Sequence, residues 1–340
     1  MMDAYKISDN YNFQRTEGCK MISPHHFHPT NGVRPSDSYD ILKSTGKDHN
    51  IMRLLLAIIF LFPLFLSAET ITVKTKAPQN RNAVFQYRVP KGYSKAPRAM
   101  YRVLVLFGGR NTDGKDDASG RMGWGEWCDA NGIFLIAPGF MNDNYWEPKE
   151  WSGKALRSVL QRLKNKYNIC TDKILYYGYS AGSQASNLFA AWHPELCRAW
   201  VSHACGVFHE PDKQMKDTPG LVTCGDADQG RYIISRNFVE ASRKKGVNII
   251  WKSFPNHPHD VPPDSLTLAR AFLTYYHKLY EDDLVKGFMR KYERKVAYIG
   301  DDQEGVYYPI DSVEAKNILL EDRVELPDKS IAEAWGKSAK

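Results

Sequence analysis

The residues with chemistry in them are Gly178-Tyr179-Ser180-Ala181-Gly182. A short apolar run, Ile174-Leu175-Tyr176-Tyr177, precedes them within Lys173–Leu188, and a helix-compatible segment follows. G-x-S-x-G between a strand and a helix makes a sharp turn with the serine at its tip, Oγ lifted clear of the backbone. The glycines permit that turn, and the Ala181 N–H at the new helix N-terminus is left able to bind an oxyanion. A serine hydroxyl is a weak nucleophile at neutral pH. A histidine must take its proton, and a carboxylate must hold that histidine in one tautomer.

Both partners follow, in the order Ser, Asp, His, each just after an apolar run. Leu221–Cys224 leads into Gly225-Asp226-Ala227-Asp228, and Val247–Phe254 leads into Pro255-Asn256-His257-Pro258-His259-Asp260. Asp228, further round its turn, is the expected acid; Asp226 is the alternative, Asp228 then being a helix N-cap. His259, ahead of Pro262-Pro263 and the next helix, is the expected base, with His257 as its alternative. Tyr101–Phe107 runs into Gly108-Gly109-Arg110, a small-residue turn that supplies a second oxyanion donor. The expected oxyanion hole is therefore Gly109, Arg110 and Ala181. His193, His203 and His209 follow other elements and read as structural or surface residues.

The elements that must position these groups alternate along the chain. Ile71–Thr75 and Ala83–Val89 read as a leading hairpin turned by Pro78–Arg81. Strands are expected at Tyr101–Phe107, Ile133–Ala137, Ile174–Tyr177, Ala199–His203, Leu221–Cys224 and Val247–Phe254. Helices are expected at Met122–Ala130, Lys154–Tyr167, Tyr232–Lys245 and Ser265–Tyr280. This alternation implies an α/β fold, a mostly parallel central sheet with helices on both faces, spanning residues 69–280. Residues 281–340 form a C-terminal appendage. It contains a charged helix over Asp282–Glu293, a hairpin of Val296–Ile299 and Gly305–Ile310, and a short helix near Ile331–Trp335, with a partly disordered end.

The chain has 340 residues, 43% hydrophobic and 25% charged, an ordinary globular composition. The net charge of +7 comes from lysines and arginines interleaved with acids, which argues against a nucleic-acid groove. No zinc-type Cys/His spacing, P-loop or G-x-G-x-x-G occurs, so neither a metal nor a cofactor is expected. The His25-His26-Phe27-His28 cluster lies in a polar, irregular N-terminal extension, residues 1–51, and reads as incidental.

Arg53, the apolar run Leu54–Leu66 and Ser67-Ala68 have the order of a secretory signal peptide over residues 52–68. That segment places the mature protein outside the cytoplasm, secreted or periplasmic, with membrane contact only during export. A signal-anchor is the other reading. Cleavage would leave Cys128, Cys170, Cys197, Cys205 and Cys224. Adjacent parallel strands would bring Cys170 near Cys197, and Cys205 near Cys224, so these are the expected disulfides; plain buried thiols remain open.

From about Tyr87 to Tyr280 the chain resembles the α/β-hydrolase superfamily. Within it, the chain resembles secreted esterases of the poly(3-hydroxybutyrate) depolymerase, feruloyl and acetylxylan esterase group. The likeness is carried by the Gly178–Gly182 elbow, Trp127–Ile133, the Gly225–Asp228 turn and His259–Pro263. Phe107-Gly108 stands where that group has His-Gly, which keeps a backbone oxyanion donor but removes a histidine ring. The resemblance implies a serine esterase acting on an acylated sugar, phenolic ester or polyester. On that reading Trp124, Trp127, Tyr145, Trp146 and Trp151 could stack on a sugar or phenolic ring. A serine oligopeptidase and a non-catalytic hydrolase fold used for binding are the rival readings.

Overall fold

Period two runs through the middle of the sheet. In Val103-Leu104-Val105-Leu106-Phe107 every side chain is apolar, and successive ones go to opposite faces. Val103, Val105 and Phe107 join one buried cluster, while Leu104 and Leu106 join a second. A strand that is apolar on both faces needs a helical layer on each side.

The computed structural model describes residues 69–74, 82–95, 100–140, 147–279 and 293–339, all within one compact unit. The extension, the signal segment and, but for Glu293, the helix expected at Asp282–Glu293 lie outside the described residues. The main sheet holds β1 (Glu69–Lys74), β2 (Asn82–Arg88), β3 (Val103–Phe107), β4 (Phe134–Gly139), β5 (Ile174–Tyr179), β6 (Cys197–His203), β7 (Gly220–Gly225) and β8 (Ile249–Phe254). Its order is β1-β2-β4-β3-β5-β6-β7-β8. The β1–β2 and β2–β4 pairings are antiparallel, and every other pairing is parallel.

The helices follow as α1 (Lys115–Ser119), α2 (Trp124–Asn131), α3 (Gly153–Lys166), α4 (Ala181–Trp192), α5 (Gln229–Lys244) and α6 (Pro263–Lys278). Leu156, Val159 and Leu160 of α3, Phe189 of α4 and Phe238 of α5 cover the first face. Trp124 and Trp127 of α2 and Leu268, Phe272 and Leu273 of α6 cover the second. The mostly parallel, doubly covered sheet is the architecture expected from the alternation of strands and helices.

Beyond α6 the chain builds a second sheet from β9 (Tyr298–Asp301), β10 (Val306–Pro309), β11 (Arg323–Leu326) and β12 (Lys337–Ser338), in the order β11-β9-β10-β12. Between them lie α7 (Val313–Asn317) and α8 (Lys329–Trp335). The hairpin around Asp301–Glu304 is present as β9 and β10. The short helix expected near Ile331–Trp335 is present as α8, whereas β11 and β12, too short to show alternation, were missed. Tyr307, Val324, Leu326, Ile331, Ala332 and Trp335 share one buried cluster with α6.

Trp335 joins this sheet to the main one. Its ring is buried against Gly300, where a Cβ would come within 2.6 Å of it, and its Nε1–H donates to the Trp251 carbonyl of β8 at 2.7 Å. Lys252 Nζ sits over the same ring at 4.4 Å. Trp335→Ala removes a filled volume and one buried hydrogen bond. It is expected to destabilise the fold by about 3–5 kcal/mol in urea unfolding.

Neither expected disulfide is present. Among the described residues Cys128, Cys170, Cys197, Cys205 and Cys224 are buried thiols. Cys170 Sγ–H donates to the Asp172 carbonyl and Cys205 Sγ–H to that of Val207, so each thiol is engaged within its own loop. Burial pushes the Cys205 and Cys224 thiols up to about 12, which keeps them protonated and poor nucleophiles.

Candidate active site

The turn between β5 and α4 is built by close approach. A Cβ on Gly178 would stand 2.0 Å from the Gly182 carbonyl oxygen, and one on Gly182 would stand 2.1 Å from that of Phe107. Only glycine fits either position. Ser180 between them has φ 56° and ψ −123°, a sparsely populated conformation that costs a residue with a Cβ on the order of 1–3 kcal/mol. The Ser180 N–H donates to the His203 carbonyl at 3.0 Å, tying the strained residue to β6. Ser183 and Ser202 hold the first turn of α4, the Ser202 hydroxyl donating to the Ser183 carbonyl at 2.7 Å.

His259 reaches this serine from the loop after β8. Its Nε2 lies 2.8 Å from Ser180 Oγ, and its Nδ1 lies 2.7 Å from Asp228 Oδ2. An ionised carboxylate only accepts, so Nδ1–H donates to Asp228 and Nε2 is left to accept the Ser180 proton. Asp228 occupies the N-cap position of α5, yet its side chain makes no cap hydrogen bond there. Oδ1 instead accepts from Arg231 Nη1 at 3.0 Å, with the carboxylate 8% exposed. The structure therefore brings Ser180, His259 and Asp228 into one hydrogen-bonded line.

The alternatives sit elsewhere. Asp226 is exposed, and its Oδ1 accepts from the Asn256 N–H at 2.6 Å. His257 turns its ring to Asp260, Nδ1 to Oδ2 being 3.2 Å, and its carbonyl accepts from the Ala227 N–H at 3.1 Å. Both hold the acid turn and the histidine loop together; neither points at Ser180.

Gly109 lies against the serine: a Cβ there would be 3.8 Å from Ser180 Cβ. The Thr112 hydroxyl donates to the Gly109 carbonyl at 3.0 Å. In a planar trans peptide this points the Arg110 N–H to the opposite side. Ala181 begins α4, where the first N–H groups of a helix have no intrahelical partner. The Arg110 side chain is exposed beside this turn.

Three of the aromatic residues expected to line the site do not. Trp124, Trp127 and Trp151 are buried in the two cores, where Trp124 packs edge-on to Trp127 and Trp151 to Phe140. Tyr145 and Trp146 lie outside the described residues, as does the His25–His28 cluster. His193 pairs with Glu195, and His209 is exposed.

Sequence reasoning missed Arg231, Tyr179 and the true setting of His203. His203 is 1% exposed beneath the histidine loop, and burial drives its pKa down to about 4, so its ring is neutral. The available signal was positional: Tyr179 ends β5 and His203 ends β6.

No protein-family model matches the chain, and no curated protein matches it. Solved structures do. A CE1 ferulic acid esterase from the anaerobic fungus Anaeromyces mucronatus superposes with a TM-score of 0.50 at 16% identity, over 62% of this chain and 91% of that one. The poly(3-hydroxybutyrate) depolymerase LpqC from Bordetella parapertussis gives 0.48 at 16%, over 65% and 93%. A thermostable esterase gives 0.48 at 18% identity over 67% of this chain, which spans 64% of that esterase's length. At these identities the likeness is one of fold. Taken with the strand order and the sharp turn after β5, it gives the chain an α/β-hydrolase fold.

Proposed function

We propose that the chain is a serine esterase that hydrolyses carboxylic esters through an acyl-enzyme. The observation that carries this reading is His259 bridging Ser180 Oγ and Asp228 Oδ2 at 2.8 and 2.7 Å. Ser180 Oγ attacks the ester carbonyl as His259 Nε2 takes its proton. The Ala181 N–H and the N–H groups of the Gly109–Arg110 turn receive the oxyanion. His259 then gives the proton to the departing alcohol, leaving the acyl group on Oγ. Water enters, His259 takes its proton, and the acid leaves with Ser180 regenerated. Asp228 stabilises the imidazolium throughout, and Arg231 holds the second oxygen of Asp228 in place.

Phenolic esters are the substrates placed first, with acylated sugars and polyesters beside them, since the matched ferulic acid esterase is named for a phenolic acid. Trp124, Trp127 and Trp151, which argued for a stacked sugar or phenolic ring, are in the core, so they do not separate these substrates. The signal-like segment at residues 52–68 supports action outside the cytoplasm.

A fluorophosphonate tests the nucleophile directly. One equivalent should add its mass to the peptide containing Ser180 and abolish p-nitrophenyl acetate turnover in the same proportion. Full labelling with turnover intact, or a label on another residue, would overturn the assignment.

A further inference from the structure

His259 has a long way to come. β8 lies three strand positions from β5, about 14 Å at the usual strand spacing, so residues 255–262 must cross back over β7 and β6 to reach Ser180. The stem of that crossing is pinned to the acid turn by the Asn256 N–H on Asp226 and the Ala227 N–H on the His257 carbonyl. The stem does not fix the two residues that matter.

Resting on the esterase reading, we infer that Tyr179, His203 and Thr223 form a clamp that positions His259 by holding two consecutive backbone carbonyls of its loop. Tyr179 Oη–H donates to the His259 carbonyl at 2.9 Å, and His203 Nε2–H donates to the Asp260 carbonyl at 2.8 Å. Thr223 completes the set. A carbonyl can only accept, so His203 carries its proton on Nε2, and its Nδ1 accepts from the Thr223 hydroxyl at 2.7 Å. The three side chains come from one row of the sheet, with Tyr179 paired to His203 and His203 to Thr223 across β5, β6 and β7. The row thus ends directly under the crossing loop.

The Tyr179 ring adds a second restraint. It stacks on the His259 ring with centroids 5.2 Å apart and planes 26° apart, and it lies 5.9 Å from the His203 ring. Rotation of His259 away from Ser180 would therefore break a stack, and translation of its backbone would break two hydrogen bonds. None of the three clamp residues touches a reacting atom. They are positioning residues, and their effect should appear in the rate of chemistry more than in binding.

Four variants test this: Tyr179→Phe, which keeps the ring; His203→Phe, which removes the donor; His203→Gln, whose amide can still donate to Asp260; and Thr223→Val. The expected result is a kcat for p-nitrophenyl acetate lowered about tenfold or more by Tyr179→Phe and His203→Phe, with KM within about twofold. His203→Gln should recover most of that loss. The downfield proton resonance of His259 Nδ1–H should be sharp in the wild type and in His203→Gln, and broadened or lost in His203→Phe. Should His203→Phe fail to fold, Thr223→Val leaves the ring in place and is expected to broaden the same resonance. Wild-type kcat together with an unchanged resonance in Tyr179→Phe and in His203→Phe or Thr223→Val would overturn the clamp. A wild type with no ester turnover would sink the esterase reading, while the resonance would still report on the clamp.

Discussion

Ser180→Ala is expected to lower kcat on p-nitrophenyl acetate by about 10⁵- to 10⁶-fold, leaving the unfolding midpoint nearly where it was. The two halves of that expectation have separate physical sources. On the proposed mechanism the hydroxyl supplies the atom that becomes bonded to the acyl group. The backbone strain at φ 56° belongs to any residue with a Cβ, so alanine keeps it and gains no stability by losing the oxygen. The loss of the Oγ···Nε2 hydrogen bond at a half-exposed position changes stability by about 1 kcal/mol. Residual turnover within about a hundredfold of wild type would mean that water or another side chain is the nucleophile.

Asp228→Asn is expected to lower kcat by about 10⁴-fold with the geometry of the site preserved. An amide in place of the carboxylate presents either its oxygen or its NH₂ to His259 Nδ1. The NH₂ orientation forces the proton onto Nε2, where it can no longer accept from Ser180. The oxygen orientation keeps the tautomer but removes the negative charge that stabilises the imidazolium. Arg231 favours the damaging arrangement, because a cation facing position 228 prefers the amide oxygen on its own side and so turns the NH₂ toward His259. Asp226→Asn is the matched control. Its carboxylate only accepts from the Asn256 N–H, a role that an amide oxygen can keep, so turnover within about threefold of wild type is expected. The reverse ranking of the two variants in steady-state kcat would move the acid to Asp226.

The fold was legible because its strongest signals are local. Strands apolar on both faces, such as Val103–Phe107, are separated by helices with one apolar face, such as Leu156, Val159, Leu160 and Leu163 in α3. That pattern requires a parallel sheet covered twice. The serine turn was legible because glycine at both Gly178 and Gly182 is demanded by backbone contacts within a few residues of sequence, or across to β3. The line of Ser180, His259 and Asp228 could be narrowed but not fixed, since choosing His259 over His257 depends on how residues 255–262 cross the sheet. Three things were not legible. The β11 and β12 strands are four and two residues long and have no pattern of their own. The cysteines were near one another in strand order, but their side chains bond within their own loops or lie in the core. The clamp under His259 requires the register of three strands, which sequence spacing does not contain.

β8 is the last strand of the main sheet, and the side it turns away from β7 meets the C-terminal sheet, with Trp335 taking the Trp251 carbonyl. An outermost strand left open is a template on which a second polypeptide can lay a strand of its own. Here one carbonyl of that strand is taken from within the chain, by Trp335. A second copy pairing along β8 would first have to displace that side chain. The C-terminal sheet thus serves the main sheet twice, filling its second core and covering part of its last edge, while the chemistry proposed at Ser180 is carried by other stretches of the same polypeptide.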